Sequence, residues 1–186
     1  HGQCTQDAPL KLIIDPIDGT KNFIRGIPYF AALLAIEKNN TIIAGIVSSP
    51  ITNQKWWASQ HNGAFYNYTS IQVSTINTIE GSQVFHGSLS GQEAIGAPKN
   101  FIPLLQSTKR QRGFGDYYAP MAVAMGWGEF AIDFNLNAWD IAPLKIIVEE
   151  AGGILTDSKG QDTIYSGSVI ASNNKFHSEI VKTLNQ

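Results

Sequence analysis

The sequence has one cysteine, Cys4, in 186 residues. A lone cysteine excludes a disulfide within the chain and is typical of a reducing compartment, so we predict a cytoplasmic protein. No apolar run approaches the ~20 residues that a membrane-spanning helix needs, and we predict no membrane partner. The formal charge is only −2 at pH 7, which gives no electrostatic reason to expect nucleic acid as a partner.

Histidines are also scarce and scattered, at positions 1, 61, 86 and 177. Because zinc sites need clustered ligands, this spacing predicts surface or packing roles for all four. What the chain does have is 43% hydrophobic and 15% charged residues. That balance is typical of a globular protein with a substantial core, either one ordinary domain or a large piece of one.

A short segment, residues 15–20 (DPIDGT), carries the strongest chemical signal. Residues 10–14 predict a buried strand, and pairing should stop at Pro16, which has no N–H to donate. Asp15 and Asp18 then lie in one turn, where two carboxylates can converge on a hard cation. Magnesium fits best, because it takes oxygen ligands and is often shared with substrate phosphate oxygens.

The same turn has the chemistry to hold an anion. Gly19 permits a close backbone approach, and the N–H groups of Gly19 and Thr20 can point at a phosphate. The hydroxyl of Thr20 can orient a water molecule. The alternative is an ordinary Asx turn after a strand, since Asp-Pro and Asp-Gly are common turn dipeptides.

Three further acidic residues and one glycine are candidates in the second half of the chain. Asp140 precedes a helix predicted over residues 141–151 and can cap it, bind a metal, or do both. Asp133 ends the preceding strand and can recognise a substrate hydroxyl or amine, or be a plain strand-end residue. Gly115 permits close backbone approach, and Asp116 beside it can bind a polar group.

The order of predicted elements favours an α/β protein with two packed sheets. Two antiparallel hairpins are predicted in the first half, at 29–37 with 41–49 and at 54–59 with 64–68. The second half alternates strands with helices, including a stretch at 92–106 with helical character. We therefore predict an antiparallel subdomain over residues 1–70 and an α/β subdomain over residues 71–186.

Two signatures together point to a family. The stretch DPIDGTKNF at 15–23 is followed, about 120 residues later, by WDIAP at 139–143 running to EEAGG at 149–153. This combination resembles the inositol monophosphatase superfamily. The loop RGFGDYY at 112–118 and the acid at Asp133 are most similar to its histidinol-phosphate phosphatase branch.

The resemblance implies a layered αβαβα sandwich, with an antiparallel sheet followed by a mixed, mostly parallel one. It implies that Mg²⁺ is bound by Asp15, the carbonyl of Ile17, Asp18 and Asp140. It also implies a homodimer that acts on a small phosphorylated metabolite. A metal-activated water would displace the alcohol in line, without a phosphoenzyme.

The resemblance further assigns the substrate contacts. Gly19 and Thr20 would bind the phosphate, and Asp18 and Thr20 would be the catalytic residues. Gly115, together with Asp116 and Asp133, would face the alcohol part of the substrate, most simply histidinol phosphate. Inositol 1-phosphate and a nucleotide 3′-phosphate stay open as alternative substrates.

One family feature has no match in this sequence. Family members carry N-terminal helices and a Gly-Glu-Glu motif whose first Glu binds metal, and residues 1–6 resemble the linker that follows it. We therefore expect an N-terminally truncated chain that binds metal weakly and hydrolyses poorly by itself. Two other classes stay open: an inactive remnant serving as a binding or assembly module, and a metal-binding protein without turnover.

Overall fold

A computed structural model of the protein describes residues 8–186. The expectations for His1, Cys4 and the linker at 1–6 lie outside these residues. The first sheet has six antiparallel strands in sequence order. They are β1 (Leu10–Asp18), β2 (Ala31–Lys38), β3 (Thr41–Ser49), β4 (Gln54–Ser59), β5 (Ala64–Tyr66) and β6 (Thr69–Ile71). Both predicted hairpins are confirmed, although β5 ends early because Asn67 adopts a positive φ of 50° and turns the chain into β6.

Two predictions for β1 are wrong. Residues 10–14 form a strand but not a buried one, since alternate side chains, those of Leu10, Leu12 and Ile14, are more than half exposed. Pairing also does not stop at Pro16. Asp15 lies opposite Leu33, and pairing resumes where Asp18 lies opposite Ala31. Pro16 and Ile17 form the irregularity between these pairs, as a residue without an N–H requires. The interruption changes the direction of the chain at the end of β1, and Asp15 and Asp18 both lie on this edge strand of the sheet.

The second sheet is mixed and follows the order β10-β11-β9-β7-β8. Its strands are β7 (Gln83–His86), β8 (Arg110–Arg112), β9 (Phe130–Phe134), β10 (Ile154–Thr156) and β11 (Ser168–Ser172). Strand β7 pairs in parallel with β8 and β9, whereas the other two pairings are antiparallel. The sheet is therefore mixed as predicted, but its parallel share is half rather than most.

Five α-helices complete the described chain. They are α1 (Thr20–Ile24), α2 (Phe101–Gln106), α3 (Tyr118–Ala124), α4 (Ala138–Glu150) and α5 (His177–Leu184). The stretch at 92–106 has helical character as predicted, and it is interrupted where Gly96 has a positive φ and Ile95 is extended. Only a 3₁₀ turn, Gln92–Ala94, and α2 form there.

The core explains how the layers stack. Helices α3 and α4 lie between the sheets, and α4 buries Ile141, Leu144, Ile147 and Val148 against both. Helices α2 and α5 cover the far face of the second sheet. The described residues thus form four layers of the αβαβα sandwich: sheet, helices, sheet, helices.

Three smaller sequence-based expectations can be placed on this fold. His86 and His177 are buried and His61 is exposed, so the described histidines have the packing and surface roles that were predicted. The division at residue 70 stays a prediction. Among the described residues, no helix has the length and apolar character that crossing a bilayer demands.

Candidate active site

A single cleft of about 560 Å³ lies where the two sheets and α4 meet. It is bounded by the end of β1, the loop before α3, the end of β9 and the start of α4. All nine sequence-predicted site residues line it. They are Asp15, Ile17, Asp18, Gly19, Thr20, Gly115, Asp116, Asp133 and Asp140.

Three carboxylates converge at one end of the cleft. Asp15, Asp18 and Asp140 each present an oxygen atom, and these oxygens lie within 4.8 Å of one another. The first two come from the end of β1, and the third comes from the first turn of α4, about 120 residues later. A set of carboxylate oxygens is the donor chemistry that hard divalent cations select, so these residues fit a metal ion.

The turn at 15–20 is internally braced. The N–H of Ile17 donates to Asp15 Oδ1 at 3.0 Å, and the Thr20 hydroxyl donates to the Ile17 carbonyl oxygen at 2.8 Å. Gly19 has a φ of +75°, and a Cβ there would lie 2.8 Å from the Tyr29 carbonyl oxygen. An Asx turn is therefore present, as the alternative interpretation held, and it positions the carboxylates rather than replacing their role.

Asp140 is not the N-cap of its helix, which corrects the prediction. Helix α4 begins at Ala138, and Asn137 is the N-cap. Asp140 occupies the third helical position, and its Oδ2 accepts the N–H of Asn137 at 2.7 Å in a capping box. This reciprocal bond stabilises the helix start and fixes the carboxylate. The other oxygen of Asp140 is left to the acidic cluster.

Burial makes the ionised cluster unfavourable without a counter-ion. Desolvation, followed by the charge of Asp116, raises the pKa of Asp18 well above its usual value, although the Tyr117 N–H donates to its Oδ2 at 2.7 Å. Desolvation and the nearby Asp15 raise the pKa of Asp140 to about 6. A bound cation would favour the charged forms and so reverse both shifts.

Asp116 and Asp133 form a second acidic pair that lines the same cleft. Asp133 accepts the Phe134 N–H at 2.9 Å, and its carboxylate lies against the backbone of Gly87. Asp116 accepts the Asn22 side-chain amide at 3.1 Å. The close approach expected at Gly115 is present, since a Cβ there would lie 2.9 Å from the Gly87 Cα.

Sequence reasoning missed several residues that line the cleft. Gly87 and Ser88 directly follow β7, at the carboxyl end of a parallel strand, and that position is the signal that could have found them. Glu93 was hidden inside the predicted helical stretch. Lys21 and Asn22 directly follow the turn at 15–20, and the sequence assigned neither of them a role of its own.

Asp133 gives a pH dependence that can be tested without metal or substrate. Burial, with a smaller contribution from Asp116, raises its pKa from 3.8 to about 7. The folded protein therefore binds a proton that the unfolded chain has lost, and stability falls as pH rises across this window. Between about pH 5 and pH 8 this linkage amounts to about 3 kcal/mol. In chelator-treated protein, Asp133→Asn is therefore expected to raise Tm by about 5–10 °C more at about pH 8 than at about pH 5.

Thermal unfolding of the wild type and the variant at both pH values measures this difference. An equal Tm difference at the two pH values would show that Asp133 titrates normally in the folded protein.

Comparison with known proteins adds a family to this geometry. The sequence pattern described as "Inositol monophosphatase family" matches residues 2–186. A histidinol-phosphatase of Streptomyces coelicolor is 38% identical over 96% of this chain and 70% of that protein. A histidinol-phosphatase of Mycobacterium tuberculosis is 36% identical over 93% of this chain and 68% of that protein.

Solved structures agree with the sequence comparison. A Thermotoga maritima protein described as an IMPase superimposes with a TM-score of 0.85 at 35% identity. The match covers 96% of this chain and 70% of that one. The two-sheet arrangement therefore occurs in a fold that is already known.

Proposed function

Because the chain belongs to the inositol monophosphatase family, whose members are phosphoric monoester hydrolases, we propose that it is a Mg²⁺-dependent phosphatase acting on histidinol phosphate. One observation carries the proposal. The three-carboxylate cluster and the Gly19–Thr20 turn lie in the same cleft as two further carboxylates, Asp116 and Asp133. A phosphate ester can thus place its phosphate at the cluster and the turn, and its alcohol against the second pair.

The metal end is assigned to Asp15, the carbonyl of Ile17, Asp18 and Asp140. Bound Mg²⁺ would lower the pKa of a water ligand and neutralise charge on the phosphate. Asp18 is the most buried of the three carboxylates. The Tyr117 N–H donates a hydrogen bond to Asp18 Oδ2, which holds the carboxylate in one orientation.

The phosphate is proposed to lie against the backbone of Gly19 and Thr20. The Thr20 hydroxyl donates its hydrogen to the Ile17 carbonyl oxygen. Its lone pairs are therefore free to accept a hydrogen bond from the attacking water, which orients that water toward phosphorus. Water displaces the alcohol directly, with no covalent enzyme intermediate.

The alcohol end supports the choice of substrate. Gly115, Asp116 and Asp133 surround the place where the leaving alcohol would lie. Carboxylates at this end attract an alcohol that carries a positive charge, as histidinol does. Two relatives of 36–38% identity are histidinol-phosphatases by name.

Inositol 1-phosphate is the second candidate substrate, because the similar Thermotoga maritima protein is described as an IMPase. Hydroxyl groups of a polyol can also donate to Asp116 and Asp133. A nucleotide 3′-phosphate is the third candidate. A non-catalytic binding module is the competing class, and it predicts no phosphate release from any of the three esters.

We further propose a cytoplasmic homodimer whose partner is a small phosphorylated metabolite rather than nucleic acid. The location rests on the single cysteine, and the dimer rests on the family resemblance.

A substrate panel tests the proposal in the natural protein that contains this sequence. L-Histidinol phosphate, myo-inositol 1-phosphate and adenosine 3′-phosphate are compared by kcat/KM in the presence of magnesium. We expect the kcat/KM for histidinol phosphate to exceed that for the other two esters by about tenfold or more, which is the effect of one charge-assisted hydrogen bond. A higher value for either other ester would reassign the substrate, and no release from all three would favour the binding module.

A further inference from the structure

Lys21 and Glu93 form an ion pair across the mouth of the cleft. Lys21 follows the phosphate turn of the first sheet, whereas Glu93 belongs to the 3₁₀ turn after β7 of the second sheet. Their side chains are 73% and 47% exposed. Pairs this exposed contribute at most about 1 kcal/mol, so an arriving cation can replace the lysine.

Glu93 keeps its position through other contacts. The Ser88 hydroxyl donates to its second carboxylate oxygen. The neighbouring Gln92 carbonyl accepts the Asn135 side-chain amide at 3.1 Å, which ties the 3₁₀ turn to the loop after β9. The Lys21 and Ser88 hydrogen bonds lower the pKa of Glu93, so the group is a carboxylate at neutral pH.

The charge of Glu93 acts on Asp116 and Asp133, the pair proposed to face the substrate alcohol. Its charge is among the causes that raise the pKa of Asp116 and, more weakly, of Asp133. Glu93, Asp116 and Asp133 are therefore close enough to influence one another, and all three line the cleft. A neutral polyol supplies hydrogen bonds there but no compensating charge. An ammonium group supplies both.

The Lys21 side chain shows what fits at Glu93. An ammonium group on a flexible stem already contacts the carboxylate from within the cleft. An amino alcohol bound through its phosphate would present the same group from the substrate.

We propose that Glu93 is a specificity-determining residue that selects phosphate esters of amino alcohols, and that the substrate ammonium replaces that of Lys21 on its carboxylate. This inference rests on the proposed phosphatase function and narrows its substrate class. It also gives Lys21 a role, because the lysine neutralises Glu93 until a cationic alcohol arrives.

The substitution Glu93→Gln tests the selection. It keeps the size and the hydrogen bond from Ser88 but removes the charge. The measured quantity is the ratio of kcat/KM for L-histidinol phosphate to that for myo-inositol 1-phosphate. We expect this ratio to fall about threefold to fivefold, the range for a lost contact to a partly exposed charged group. Glu80→Gln is the matched control, since Glu80 is exposed and outside the cleft.

A binding measurement separates this inference from the proposed function. Titration calorimetry with L-histidinol, which has no phosphate, is expected to show weaker binding to Glu93→Gln by about threefold to fivefold and tighter binding to Lys21→Met. Equal loss of both esters in Glu93→Gln, or L-histidinol affinity unchanged in that variant, would overturn the role of Glu93. Wild-type protein that binds L-histidinol but cleaves neither ester would refute the phosphatase function alone.

Discussion

Asp18→Asn is expected to lower phosphate release at least about a thousandfold, because it removes a charged ligand from the three-carboxylate cluster that we propose as the metal site. Asn keeps the shape of the side chain, and its carbonyl oxygen can still accept the Tyr117 N–H that now bonds Oδ2. The loss should therefore fall on kcat rather than on the amount of folded protein. Initial rates at saturating magnesium and substrate measure it.

Stability provides the check on Asp18→Asn. Burial raises the pKa of Asp18, so its ionised form destabilises the metal-free fold at neutral pH, and the variant should melt no lower than the wild type after chelation. Asp162→Asn is the matched control, since Asp162 is 80% exposed and pairs with Lys145 outside the cleft. Activity above about a tenth of wild type in Asp18→Asn would remove this residue from the proposed metal site.

Gly19→Ala is expected to lower kcat/KM about a hundredfold, because the new methyl group displaces the turn that is proposed to bind the phosphate. The glycine has a φ of +75°, and the new Cβ would lie 2.8 Å from the Tyr29 carbonyl oxygen. To relieve that overlap, either the turn or the backbone of Tyr29 and Phe30, just before β2, must move. A displacement of about 1 Å at the phosphate is enough to cause a loss of this size.

Gly26→Ala is the control that separates the effect of backbone strain from the effect of displacing the turn. Gly26 has a similar φ of +70°, but a Cβ there would meet nothing within 4 Å. Both variants should therefore share a backbone penalty of about 1–2 kcal/mol, while only Gly19→Ala should lose activity about a hundredfold. Comparable activity in the two variants would show that the phosphate does not lie against Gly19.

The local parts of the site could be predicted from sequence because their chemistry is contained in short segments. The turn from Asp15 to Thr20 contains the groups that hydrogen-bond within it, and Asp140 lies in the first turn of a largely apolar helix. Two such segments, each ambiguous alone, become informative when both occur in the expected order. All nine predicted residues accordingly line one cleft.

The features that sequence reasoning missed depend on tertiary contacts. Lys21 and Glu93 are 72 positions apart, and nothing local indicates that their side chains meet. Pairing beyond Pro16 depends on Ala31 of the neighbouring strand, which a single segment does not reveal. Asn137 rather than Asp140 is the N-cap of α4 because the helix begins at Ala138, and the two residues form a capping box together.

Magnesium dependence of phosphate release from L-histidinol phosphate tests the assignment of the acidic cluster most directly. The natural protein is treated with a chelator, assayed, and assayed again after magnesium is restored. We expect less than about 1% of the activity to survive chelation and most of it to return with magnesium, because water at neutral pH needs metal activation to attack a phosphate monoester. Full activity in the chelated protein would contradict a metal role for Asp15, Asp18 and Asp140.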